Sequence, residues 1–148
     1  MPPMSDARWL SLSAILAVLG CSSGDCDLVD DLRLFAGDSA IDCGTAATDE
    51  QRVDVDECAR SAFEAGSAFL ARYEAMGTDS KVVRAAAMNT AGVLKLFLWD
   101  SSPCGGGACD PVTDQQTCEE PSLVQESRED LLLPFDCKTF GLTQRVCG

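Results

Sequence analysis

Residues 69–99, FLARYEAMGTDSKVVRAAAMNTAGVLKLFLW, decide how this chain is read. Phe69, Ala71, Tyr73 and Ala75 alternate with Leu70, Arg72 and Glu74, the period of two expected of a strand with one buried face. Gly77-Thr78-Asp79 has turn composition. The next segment, Lys81 to Met88, is ambiguous by composition, because Ala85-Ala86-Ala87 favours a helix while Val83, Ala85 and Ala87 fit a strand. Spacing favours the strand: Asn89-Thr90-Ala91-Gly92 is turn chemistry, and the dense apolar run from Val93 to Trp99 follows at once. Three antiparallel strands are therefore expected, with a fourth from Val112 to Cys118.

Upstream, the period changes to that of a helix. Thr48 with Gln51 three residues later has the spacing of a capping box, and Asp49 and Glu50 suit the positive end of a helix dipole. Val55, Cys58, Ala59, Ala62 and Phe63 then share one face, and Gly66 is placed to end the helix. A shorter helix is expected through Leu28, Val29, Leu32 and Phe35, stopping at Gly37. A further helix is expected from Ser122, with Gln125 at the capping-box position, and cannot pass Pro134. The fold class expected is α+β: one main helix packed on a small antiparallel sheet of three to four strands, stapled by disulfides, over residues 26–148.

Cysteine use points to an oxidising compartment. The chain has 9 cysteines and no histidine in 148 residues, and the cysteine spacings lack the paired two-residue gaps of zinc sites. Such an inventory suits a small exported domain whose core needs covalent support. The net charge is −13, and a field of that sign opposes phosphate backbones, so no nucleic-acid partner is expected.

The amino terminus agrees with export. Arg8 precedes the uncharged run WLSLSAILAVL from Trp9 to Leu19, the length of a signal-peptide core and well short of the roughly twenty residues a bilayer-spanning helix needs. The run ends in Val18-Leu19-Gly20-Cys21, which resembles the bacterial lipobox: an aliphatic residue, a small residue, then the cysteine. The resemblance implies removal of residues 1–20, lipid on Cys21, and a short tether over residues 21–25. The membrane would then be the first partner. The resemblance also implies a bacterial envelope location, and Ser22, where some inner-membrane lipoproteins carry Asp, points to the outer membrane. Lipidation also removes the odd cysteine, leaving Cys26, Cys43, Cys58, Cys104, Cys109, Cys118, Cys137 and Cys147 to cross-link. About a hundred pairings are open to eight cysteines. Cys43 with Cys58 is the one expected, because it staples the main helix to its own lead-in.

Several segments resemble chemical motifs and lack a necessary part. Asp54-Val55-Asp56-Glu57-Cys58 matches the opening of calcium-binding EGF-like modules, but no cysteine follows until Cys104, so it is read as the acidic face of a helix. Gly37-Asp38-Ser39-Ala40 resembles the Gly-Asp-Ser-Leu block of an esterase family, whose serine needs a histidine base, and there is none. Cys104 and Cys109 are separated by four residues, three of them glycine, where exchange motifs keep two, which favours a structural bridge in a surface loop. No catalytic residues, metal site or cofactor are expected. The reading is a noncatalytic, lipid-anchored envelope protein that binds a protein, peptide or glycan. The alternative is a carboxylate-dependent hydrolase of wall glycans, since two acids at a set distance suffice for that chemistry. Calcium binding by the acidic stretch from Asp25 to Glu57 is a third, lesser reading.

Overall fold

The amphipathic segment after Cys26 folds as predicted from its pattern. In the computed structural model, which describes residues 26–106, 109–124 and 133–148, helix α1 spans Leu28–Ala36. Asp27 caps it, its carboxylate accepting from Val29 N at 2.8 Å and Asp30 N at 3.3 Å, and Leu28, Leu32 and Ala36 form its buried side. Strand β1, Ile41–Ala46, follows, then helix α2, Asp49–Glu64. The Thr48 hydroxyl accepts from Gln51 N at 3.3 Å, while the Gln51 side chain reaches back one residue further and accepts from Ala47 N at 2.9 Å. α2 ends in a Schellman turn: Ser67 N bonds to Ala62 O and Gly66 N to Phe63 O, with Gly66 at φ +64° where a Cβ is disfavoured.

The remaining elements among the described residues are strands: β2 Phe69–Met76, β3 Lys81–Met88, β4 Leu94–Asp100, β5 Val112–Leu123, β6 Phe135–Phe140 and β7 Gln144–Cys147. β2 to β5 make the antiparallel meander that the sequence suggests, through pairs such as Tyr73 with Arg84, Arg84 with Leu98 and Leu98 with Asp114. β1 adds to β2 in parallel, with α2 as the crossover, and its register slips between Asp42 and Thr45 at Gly44. Beyond β5, β6 pairs with its second half and β7 with its first.

The expected architecture is thereby corrected. The described residues form one mixed sheet of seven strands with a helix on each face, rather than a main helix on three or four antiparallel strands. The helix expected from Ser122 is also corrected where it is described, since Ser122 and Leu123 pair with Asp136 and Phe135 in the sheet. Its continuation through Gln125 lies outside the described residues, as do the signal-like segment and Cys21.

Strand alternation shows why two layers of helix are needed. Phe69, Ala71, Tyr73, Ala86, Met88 and Leu94 face α2 and pack against Val55, Ala59 and Ala62. Leu70, Val83, Ala85, Ala87 and Phe97 face the other way and pack against Leu28, Leu32 and Ala36. The run Ala85-Ala86-Ala87 is fully buried on both sides, so small side chains let both helices approach the sheet.

Candidate functional site

Each face of the sheet carries one helix, and the two faces finish differently. On the α1 face the far strands are closed by the segment that leads into α1 and by β7. Cys26 is bonded to Cys147 of β7, and Trp99 Nε1 donates to Cys26 O at 3.0 Å. Phe35 meets Phe97 at 5.9 Å between ring centres, with the Lys95 ammonium 4.6 Å over the Phe35 ring. Asp31 is brought against Thr113, a fully buried residue of β5, and burial holds its carboxyl above the ordinary range, with Asp27 and Asp30 adding repulsion.

On the α2 face, α2 lies against β1 and β2, and among the described residues no helix lies over the sheet beyond β3. Register sets Arg84, Leu98, Asp114 and Arg145 in one row across β3, β4, β5 and β7, and Ala86, Leu96 and Gln116 in the next. Above these rows is an open groove of about 350 Å³, lined by Leu96, Leu98, Leu133, Phe135 and Phe140 with Arg84, Asp114, Gln116, Asp136 and Thr143 among its polar contacts. Phe135 forms its inner wall, stacked on Phe69 at 5.7 Å and tilted against Phe63 at 5.3 Å. Leu98 is 42% and Phe140 55% exposed, unusual for large apolar side chains that share one depression.

The charges around the groove are unequal in what they leave free. Asp114 is engaged by Arg145, whose Nε and Nη2 both donate to its carboxylate. Arg84 stands exposed beside Leu98 and makes no ion pair among the described residues, although the chain carries a large acidic excess. Arg84 is thus an exposed cation at the rim of an apolar depression.

Alongside the groove, Tyr73 is buried under α2 and its hydroxyl donates to Asp56 Oδ1 at 2.7 Å. Burial first, and then the bond to the Asp56 carboxylate, push the phenol far above its ordinary value. A phenol held neutral in this way locks α2 to β2 and has no proton to give at neutral pH.

The residues singled out by sequence fall as follows. The eight described cysteines pair as Cys26–Cys147, Cys43–Cys58, Cys104–Cys109 and Cys118–Cys137. The Cys43–Cys58 bridge ties β1 to α2, with sulfurs 2.02 Å apart. Asp54 and Glu57 lie exposed on α2, whereas Asp56 turns inward to Tyr73, and among the described residues no cluster of His, Cys, Asp or Glu is arranged to hold a metal ion. Ser39 is an exposed turn residue ahead of β1. The structure thus does not gather these motif residues into one place. The groove residues were not assigned a role by motif, yet one signal was present: β4 is apolar on both faces, Leu94, Leu96 and Leu98 on one and Phe97 and Trp99 on the other, a pattern of a strand covered twice. Comparison with known protein families, with curated proteins and with solved structures finds no match.

Proposed function

We propose that this protein is a noncatalytic binding protein of the cell envelope, attached to the membrane by lipid on Cys21, and that the groove on the α2 face receives an extended peptide segment carrying an apolar side chain next to a carboxylate. The observation that carries the reading is the groove itself, with Leu98 and Phe140 exposed beside Arg84, which has no ion-pair partner among the described residues. Its volume lies at the small end of the range for ligand sites, enough for one or two side chains and too small for a large cofactor. A peptide is favoured over a glycan by the strand at its border. Among the described residues β6 pairs only with β5, so its outer edge keeps backbone donors and acceptors that an added strand can use.

The anchor and the groove are compatible in space. Four residues separate Cys21 from Cys26, so the lipid-bearing residue lies within about 18 Å of Cys26 even at full extension. Cys26 is fixed on the α1 face by Cys147 and Trp99, so under this reading the tether leaves the domain on the face opposite the groove.

The test is selection from a displayed random-peptide library on the purified protein, followed by affinity measurement with the enriched peptides. Peptides pairing an apolar residue with Asp, Glu or a free C-terminus are expected, with binding lowered about tenfold by Leu98→Asp and by Arg84→Glu, since a charge-assisted contact contributes about 1.5 kcal/mol. Failure to enrich, or enriched peptides that bind both variants as well as the parent, would refute the groove as the site. Intact mass spectrometry of membrane-extracted protein tests the anchor separately: a chain without acyl mass on Cys21 would overturn that part.

A further inference from the structure

We propose that Cys104–Cys109 is a thiol-exchange site: a small external thiol can open this bridge and become attached to Cys104 while the fold stands. The other three bridges each join separate elements. Cys26–Cys147 links the start of α1 to β7, Cys43–Cys58 links β1 to α2, and Cys118–Cys137 links β5 to β6 among core residues that are 3% and 7% exposed. Cys104–Cys109 instead spans a connection between β4 and β5 whose ends are already held together by the pairing of Asp100 with Val112. Opening it therefore releases no strand or helix. Its sequence separation of 5, against 121 for Cys26–Cys147, also makes its constraint on the unfolded chain the smallest of the four.

The chemistry of attack is also laid out. Cys104 is exposed, so solvent and a small thiol can reach it. Cys109 is half-buried, and its Sγ already accepts the Cys104 backbone N–H at 2.9 Å. An external thiolate that attacks Cys104 Sγ forms a new S–S bond there, and the Cys104–Cys109 bond breaks with its electron pair leaving on Cys109. The thiolate formed keeps the amide donor, which stabilises it and improves it as a leaving group. Attack on the other sulfur would put the negative charge on Cys104, where that bond gives no help. No electrons are gained or lost overall: one disulfide and one thiolate become a mixed disulfide and another thiolate. Asp100 and Asp110 flank the loop, and the net charge of the chain is strongly negative, so a cationic thiol is preferred to an anionic one.

The experiment treats the full chain with graded cysteamine, quenches with acid, alkylates free thiols and maps the peptides. Cys104–Cys109 is expected to open at about tenfold lower thiol than any other bridge. The cysteamine adduct should sit on Cys104 and alkylation on Cys109, and the melting transition should stay cooperative with its midpoint lowered by less than about 10 °C. Mercaptoethanesulfonate should react more slowly at equal thiolate. Opening of another bridge first, an adduct on Cys109, or loss of structure together with opening would overturn the proposal. The double variant Cys104→Ser/Cys109→Ser supplies an independent check, since it must fold with the remaining three bridges intact.

Discussion

Replacing Tyr73 with Phe separates two consequences of one buried hydrogen bond. The substitution keeps the ring that packs among Phe69, Ala86 and α2 and removes only the hydroxyl that donates to Asp56 at 2.7 Å. A hydrogen bond to a carboxylate contributes about 1.5–3 kcal/mol, and because Asp56 is half-buried and regains some water, the lower figure applies. Near neutral pH, Tyr73→Phe should lower stability by about 1.5 kcal/mol, or roughly 5 °C in Tm for a domain of this size. The dependence on pH runs the other way. Below pH 10, the ordinary value for tyrosine, the phenol is protonated in both folded and unfolded chains and contributes no slope. Above it the unfolded chain loses the proton and the folded chain keeps it, so the unfolded state is favoured by about 1.4 kcal/mol for each further pH unit. The variant lacks this loss while sharing every other titration. Urea unfolding of both proteins from pH 8 to pH 11.5 should therefore give curves that converge and cross about one unit above pH 10. Parallel curves across that interval would refute both the burial of the phenol and its bond to Asp56.

Other perturbations test separate parts of the fold. Leu32→Ala, at a position 0% exposed between α1 and the sheet, should cost about 3 kcal/mol in chemical denaturation, and a change below about 1 kcal/mol would mean that α1 does not pack there. Gly66→Ala puts a Cβ at φ +64° and should cost about 1 kcal/mol by thermal melting, whereas an unchanged Tm would contradict the Schellman turn. Removing Cys26–Cys147 by Ser substitution should destabilise more than removing Cys43–Cys58, by about 1 kcal/mol or more, because the loops closed have separations of 121 and 15. The reverse order in urea midpoints would mean that native strain or denatured-state structure outweighs loop closure.

What could be read from sequence was the locally encoded part. α2 announces itself by Thr48, the acidic first turn and Gly66, all within one segment, and the β2–β3–β4 meander by alternation and two turn sequences. β1 was not legible, because Ile41-Asp-Cys-Gly-Thr-Ala46 is short, carries a glycine and a bulge, and owes its strand conformation to pairing with Phe69–Tyr73 across the intervening helix. The same holds for β6 and β7, whose partner is β5. At Ser122 the local pattern misleads: a capping-box spacing is overridden by pairing with Asp136 and by the Cys118–Cys137 bridge beside it. The groove needs residues from β3, β4, β5 and β6 at once, so no local pattern could reveal it. The doubly apolar β4 was the one visible trace.

The groove follows from a mismatch of widths. Six strand positions at about 4.8 Å make a sheet roughly 25 Å across, and a helix with its side chains is only about 10 Å wide. One helix therefore covers two or three strands of each face and leaves the rest to other devices. On the α1 face that remainder is closed by Phe35, Trp99 and the Cys26–Cys147 bridge. On the α2 face, among the described residues, Phe135 closes part of it, while α2, as the crossover between β1 and β2, lies over those two strands and not over Leu96 and Leu98. Apolar area left on β4 and β6 remains in contact with water at a cost of about 25 cal/mol per Å² until something covers it. Covering it from outside the chain would recover that free energy, and this is the source of affinity that the proposed peptide-binding role draws on.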